Sequence, residues 1–292
     1  MTLVALGVPT EASSESSGPW YLSTTAQVVY EGYSGSDERD SLTGTGLFLD
    51  ADYLEKAGFT AGYNYTRVEF KSGTSSIDQN TWFLSGRWNF YPDQVPGKIT
   101  ARLDGYILDN DDEDLTGSTD NVNVIAPMVS FVNHSKTRYL DIGYAYSDYG
   151  SSSSVNQFTM TGSFAFGQHD DWLQLRAYYI DLSSDLRARG TNDTTALEVK
   201  WTRWLQSQAL LGMDTAHVGA LLGNRVLAVD PDTAIVYNLS DKQTGSLFGS
   251  GEWKLKNQWR VLVATGIEGY ENNRINDDYT GYYIYSNLKY DW

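Results

Sequence analysis

From Trp20 to Trp292 the sequence repeats one theme: ten to fourteen residues that alternate apolar and polar, then a cluster of Gly, Ser, Asn and Asp. Side chains on a strand point alternately to its two faces, so this is a pattern of strands and turns rather than of helices. It marks strands near 19–32, 42–54, 57–71, 79–91, 98–108, 121–133, 137–148, 154–166, 171–183, 193–204, 207–219, 243–255, 258–270 and 280–292. The count is even.

The connections carry more information than the strands, because their lengths alternate. Those near 55–56, 92–97, 134–136, 167–170, 205–206 and 256–257 are short. Most Ser, Asp and Gly between strands falls instead in 33–41, 72–78, 109–120, 149–153, 184–192, 220–242 and 271–279. In an up-and-down barrel successive connections lie at opposite ends, and barrels that cross a membrane combine tight periplasmic turns with longer extracellular loops. A first strand that starts in the periplasm puts every short connection on that side. A soluble β-sandwich has no reason to sort its loops in this way.

One face of each strand is apolar enough to meet lipid. Trp82, Leu84, Trp88 and Phe90 alternate with Ser85, Arg87 and Asn89, and Ile99, Ala101, Leu103 and Ile107 alternate with Thr100, Arg102 and Asp104. Leu197, Val199 and Trp201 alternate with Glu198, Lys200 and Thr202, and Trp259, Val261, Val263 and Ile267 share a face opposite Arg260 and Glu268. Two soluble sheets would rarely bury such charges between them, since an unpaired buried charge is costly; a wet lumen accepts them. Amphipathic aromatics belong at membrane interfaces. Trp20, Tyr53, Phe59, Phe90, Tyr91, Trp172, Trp204, Trp253, Trp259, Tyr290 and Trp292 all fall near the periplasmic ends in this layout, as one girdle.

Composition removes several classes. There is no Cys, hence no thiolate metal site, disulfide or thiol nucleophile, and the formal charge of −16 argues against nucleic acid as a partner. No stretch approaches the roughly 18 apolar residues of a transmembrane helix, so a membrane would have to be crossed with strands. Residues 1–18, Ser-rich at their end, read as a flexible lead, either the remnant of a leader or the join to a part removed upstream, and residues 19–292 as the barrel. A propeller or solenoid would need a repeat of fixed period, which the sequence lacks.

The last strand carries a family resemblance. Tyr282, Ile284, Leu288, Tyr290 and Trp292 alternate with Tyr283, Tyr285, Asn287 and Lys289, and the sequence stops on an aromatic residue. This resembles the outer-membrane β-barrels of Gram-negative bacteria over residues 19–292, at the level of architecture. The resemblance implies residence in the outer membrane, contact with its lipid and lipopolysaccharide, and reading of that final strand by the barrel-assembly machinery. The expected fold is all-β, a transmembrane up-and-down antiparallel barrel of about fourteen strands.

Motifs for chemistry are sparse. His134 and His169 fall in expected turns, while Asp214 and His217, at the expected outer end of the eleventh strand, are three apart and so point to opposite faces. No catalytic residue and no cofactor is expected. The acidic run holding Asp109, Asp111, Asp112 and Asp114 has Asp114 where an EF-hand needs Gly and Asp120 where it needs Glu, so it reads as a solvated loop, with a weak divalent-cation site as the minority reading. Alternation turns Arg87, Arg102, Arg176, Lys200, Lys254, Arg260 and Lys289 inward with Asp50, Asp52, Asp104, Asp141, Glu198, Asp214, Glu252 and Glu268. These line a pore or pair across strands to stiffen its wall.

About fourteen strands should leave a narrow pore unless something enters it. The expected function is therefore a porin-like conduit for small hydrophilic solutes; the alternative is the barrel of a polysaccharide or protein export apparatus, with periplasmic export components as partners, and a third reading, an outer-membrane enzyme, is disfavoured by the opposite facing of Asp214 and His217. The longest connection, 220–242, is also the only apolar one. Leu221, Leu222, Val226, Leu227 and Val229 lead to the turn-like Asp230-Pro231-Asp232-Thr233, and Ile235 and Tyr237 resume the alternation. This reads as a hairpin beyond the membrane whose apolar residues should not stay exposed; it either folds over or into the barrel mouth as a constriction or extends strands eleven and twelve straight and packs on a neighbouring loop.

Overall fold

The structure, a computed structural model, describes residues 18–71, 76–111, 120–149, 153–183, 191–205, 212–256 and 258–292. The strands are β1 (Trp20–Ser34), β2 (Arg39–Tyr53), β3 (Ala57–Phe70), β4 (Ile77–Phe90), β5 (Gly97–Asp111), β6 (Val122–Asn133), β7 (Arg138–Asp148), β8 (Ser154–Phe166), β9 (Asp171–Leu182), β10 (Asp193–Trp204), β11 (Thr215–Arg225), β12 (Val229–Asp230), β13 (Ile235–Val236), β14 (Lys242–Lys256), β15 (Trp259–Asn272) and β16 (Asp277–Asp291). Fourteen of them form one closed antiparallel barrel, each beside its neighbour in sequence, with β11 beside β14; β12 and β13 pair only with each other. Closure is made by β1 on β16, in unbroken register from Ser23 opposite Asp291 to Ser34 opposite Thr280. Every strand of the barrel thus has two partners, and the closed sheet has no edge to pair with another chain.

Alternation sets the facing. Trp82, Leu84, Trp88, Leu103 and Ile107 each keep more than half of their surface exposed on the outer wall, while Ser85, Asp104 and Tyr106 on the same two strands are buried inward. No helix among the described residues is long and apolar enough to cross a membrane. The outer wall is the surface that meets lipid. Refolded monomer should therefore stay in solution only with detergent, with β-rich circular dichroism that persists on heating; monodisperse protein in plain buffer would contradict the lipid-facing belt.

Several sequence expectations shift. The eleventh strand starts at Thr215, not near 207, and runs to Arg225. Its outward residues Val218 and Leu222 and inward residues His217 and Leu221 carry the alternation across the expected boundary, so the pattern holds no punctuation there. The connection between Trp204 and Thr215 is accordingly long, tied by the Leu205 amide donating to the Asp214 carbonyl at 2.8 Å. His217 therefore lies near the short-turn end of the barrel rather than at its outer end. Strands β1, β2 and β16 also run further into polar sequence than expected, because the backbone ladder needs no apolar side chain to continue. Trp172 and Trp204 are not on the outer girdle. They share the inward face with Arg176 and Lys200 and meet edge to face with centroids 6.4 Å apart. Outside, Trp20 meets Tyr53 at 5.0 Å and Trp259 meets Tyr290 at 4.6 Å.

Candidate functional site: a hairpin inside the barrel

Between β11 and β14, residues 226–241 enter the lumen from the end opposite the short turns. At the entrance the Arg225 guanidinium donates to the Gln243 amide oxygen at 3.0 and 2.8 Å and lies between two rings, 4.9 Å from the centroid of Tyr237 and 5.1 Å from that of Tyr178. Leu227 and Ala234 take positive φ values of 49° and 55°, uncommon for residues with a Cβ, and each redirects the chain within the hairpin. Val229 pairs with Val236 and Asp230 with Ile235 across the turn Pro231–Ala234, so the turn anticipated at Asp230-Pro231-Asp232-Thr233 is present. The Asp230 carboxylate accepts from the Asp232 amide at 2.9 Å, which fixes that turn from within.

The apolar side of the hairpin is buried against the wall. Val226, Leu227, Ala228, Val229 and Val236 join one core cluster with Tyr106 and Leu108 of β5, Val122 and Val124 of β6, Val155 of β8, and Ile180 and Leu182 of β9. All those wall residues face inward, where a purely aqueous pore would carry polar groups. Full burial of one such aliphatic side chain is worth about 1.5–3 kcal/mol before the cost of ordering the loop. Gln157 of β8 reinforces the packing like an extra strand: its amide nitrogen donates to the Val229 carbonyl at 2.6 Å, and its oxygen accepts from the Val229 amide at 2.9 Å.

Polar contacts hold the tip and the returning arm. Asp232 accepts from Arg176 of β9 at 2.9 Å and lies 3.5 Å from the Lys200 ammonium of β10, while Arg102 of β5 donates to the Pro231 carbonyl. Arg176 also lies 3.9 Å from Asp141 and donates to Thr161 at 2.7 Å. Burial would raise the Asp232 carboxyl, but Arg176, Lys200 and Arg102 outweigh it and hold that group well below the usual carboxylate range. The tip thus stays anionic among cations. Its neighbour Asp230 is pushed up to about 6, first by burial and then by Asp232 and Glu198. Higher up, Asn238 donates to Gln79 at 3.0 Å, and Asp241 accepts from Arg39 at 3.0 Å and from the Tyr279 hydroxyl at 2.7 Å.

The anticipated lumen residues divide into groups. Arg102, Asp104, Asp141, Arg176, Glu198 and Lys200 face inward around the hairpin tip, and Arg102 grips Asp104 with Nε at 2.9 Å from both carboxylate oxygens. Arg87 pairs with Asp52 at 2.7 Å and lies 3.9 Å from Asp50. Glu252, Arg260 and Lys289 sit lower, where Arg260 meets Asp291 at 2.7 Å and Lys289 lies 3.8 Å from the same carboxylate. Lys254 is exposed at the rim, and Asp214 precedes β11, accepting from the Lys254 amide at 2.5 Å, so neither lines the middle of the barrel. Glu268 is fully buried near the opposite end, where the Tyr270 hydroxyl donates to it and to Glu31. Sequence reasoning did not single out Glu31, Arg39, Gln157 or Asp241, because their partners lie up to hundreds of residues away.

Of the residues assigned to the constriction, Val226, Leu227, Val229, Ile235 and Tyr237 lie within the lumen, while Leu221 faces inward from β11. Leu222 does not belong with them; it is on the outer face of β11, 59% exposed. Asp109 and Asp111 are exposed at the end of β5, Asp112 and Asp114 lie outside the described residues, and no cluster of three metal-ligating side chains occurs among the described ones. His217 shares a 2.8 Å hydrogen bond with Thr202 through Nδ1.

No protein-family model matches the sequence, and no curated protein matches it. Solved structures do match, over nearly the whole chain. A TodX deltaS2S3 mutant monoaromatic hydrocarbon channel aligns with a TM-score of 0.56 at 9% identity, covering 94% of this chain and 91% of that one. A bacterial polysaccharide outer membrane secretin aligns with a TM-score of 0.53 at 10% identity, covering 92% and 98%. The fold is that of a bacterial outer-membrane β-barrel. The Pseudomonas putida toluene transporter TodX gives 0.52 at 8% identity, over 93% and 88%. At these identities the likeness concerns the fold alone, and agrees with the lipid-facing belt of Trp82, Leu84 and Leu103. What distinguishes this outer-membrane barrel must be read from its own lumen.

Proposed function

We propose that this outer-membrane barrel is a passive conduit for small solutes whose lumen is closed by its own hairpin, residues 226–241. The observation that carries the reading is the burial of that hairpin among inward-facing side chains of the wall, with Asp232 seated between Arg176 and Lys200. A structural plug for a rigid wall would serve as well with apolar contacts alone. Here the tip is held by ion pairs and hydrogen bonds to three different strands, β5, β9 and β10, contacts that water can replace once the hairpin moves. The reading invokes no catalytic step and no cofactor.

The strand ends fix where to cut. Residues up to Arg225 and from Lys242 belong to the wall, so removal of 226–240 through a short Gly-Ser link to Asp241 spares the ladder between β11 and β14. In planar lipid bilayers the full chain should show a small, intermittent conductance and the deletion variant a steady one several-fold larger. An unchanged conductance in a correctly folded deletion variant would remove the hairpin as a gate.

A further inference from the structure

The hairpin fills the lumen unevenly. It packs against β5, β6, β8 and β9, and on its other side a cavity of about 120 Å³ remains, bounded mainly by β1 to β4. Val29, Val68 and Ile77 line it from the wall, and Leu227, Ala228 and Ile235 from the hairpin. Along one flank runs a row of uncharged polar groups. The Tyr285 hydroxyl donates to the Gln27 amide oxygen at 2.9 Å, and the Gln27 amide nitrogen donates to the Asn64 amide oxygen at 2.8 Å. The Asn64 amide nitrogen carries two further donors beyond this row.

Two glycines on β2 give that flank its shape. A Cβ at Gly46 would lie 1.9 Å from the Asn64 amide oxygen, and one at Gly44 would lie 2.8 Å from a Val29 methyl carbon. A Cβ at Gly46 would force the Asn64 amide to move from its present contact with Gln27.

Size and polarity select an occupant. An apolar cavity of about 150 Å³ in another protein stays dry and takes up benzene, so this volume suits a molecule of about one ring. Charge is disfavoured, because most of the lining is apolar and an ion would lose its hydration without recovering it. The charged residues on the lining are already engaged, Arg225 by Gln243, Asp241 by Arg39 and Glu31 by Tyr270, so they do not restore the hydration an ion would lose. We propose that the cavity binds a small uncharged molecule with an apolar body and one hydrogen-bonding group, the body between Val68 and the hairpin and the polar group on the Gln27–Asn64 row. This names the solute class of the conduit and rests on that reading for its transport meaning, but binding itself needs only the closed barrel.

The test uses the full chain refolded in detergent, titrated with 4-fluorophenol, fluorobenzene and 4-fluorobenzoate and followed by fluorine NMR. The expected result is saturable one-to-one binding of 4-fluorophenol and fluorobenzene, with 4-fluorobenzoate at least roughly tenfold weaker. Gln27→Leu should weaken 4-fluorophenol by up to roughly tenfold while leaving fluorobenzene unchanged. Val29→Trp, which fills the cavity, should abolish binding of both, and Val68→Phe serves the same purpose if the first variant fails to fold. Absence of saturable binding by the full chain overturns the proposal, as does binding that Gln27→Leu and the filling variants leave untouched, which would be partition into the micelle. Conductance of the hairpin deletion reports on the gate and 4-fluorophenol binding on the cavity, so either can fail alone.

Discussion

Replacing Arg176 with Met should destabilise the closed barrel by about 3–5 kcal/mol, the usual cost of stranding a buried charge when its partner is removed. Arg176 is 2% exposed and serves the hairpin and the wall together: it donates to Asp232 at 2.9 Å and lies 3.9 Å from Asp141, whose side chain is fully buried. In Arg176→Met the Asp232 carboxylate keeps Lys200 at 3.5 Å beside Asp230, while Asp141 loses the guanidinium that lies 3.9 Å from it. Two readouts should move together, a lower urea midpoint for unfolding from lipid and a higher open probability in single-channel recording. Adding Asp232→Asn should return only part of the lost stability, because it removes one of the two carboxylates that Arg176 served while Asp141 remains buried and Lys200 loses its contact with Asp232. Asp232→Asn alone should open the channel more often with a smaller stability loss. If Arg176→Met conducts like the full chain while its stability falls, the ion pair supports the wall and does not hold the gate.

The barrel itself was legible because its signal is one-dimensional. Whether Leu84 faces lipid and Ser85 the lumen follows from their being neighbours on a strand, and the closing register of β1 on β16 preserves that alternation all round. Strand ends were less legible for the same reason: from Thr215 to Leu222 the alternation continues smoothly past the expected end, and only the pairing of Trp204 with Thr215 says where β11 begins. The lumen was half legible. Inward charges such as Arg102 and Glu198 were assigned to the correct face, but the inward apolar patch was not anticipated. Its trace is a failure of alternation, as in Tyr106-Ile107-Leu108 and Tyr178-Tyr179-Ile180, where both faces are apolar. Lipid accounts for Ile107 and Tyr179; the inward members of these runs need something apolar inside the barrel. In β5, β6, β8 and β9 that partner is the one apolar connection, Val226 to Val236. The contacts of Gln157 with Val229, or of Arg39 with Asp241, had no such trace, because no local pattern links residues 72 or 202 positions apart.

Facing also fixes the outcome of a second pair of substitutions. Leu103→Arg should cripple folding into lipid, and Thr100→Arg should not. Leu103 lies near the middle of β5, 51% exposed on the outer wall opposite Gly86 and Pro127 of the neighbouring strands. An arginine there meets hydrocarbon at mid-membrane, at a cost of about 2–4 kcal/mol, and cannot reach the protein's own carboxylates, which lie on the other face. Thr100 is three residues away and faces inward, where its hydroxyl donates to Asn89 at 2.6 Å. An arginine at that position loses this hydrogen bond but can extend into the lower lumen, near Asp52 and Arg87, where water is available. Refolding yields in lipid vesicles, read from heat-modifiable gel mobility, should fall steeply for Leu103→Arg and stay near the parent for Thr100→Arg. The same pair in detergent should differ much less, because a micelle deforms around a charge more readily than a bilayer. Equal yields in vesicles would mean that β5 does not present Leu103 to lipid, and would remove the basis for assigning inward roles to Arg102 and Asp104 on the same strand.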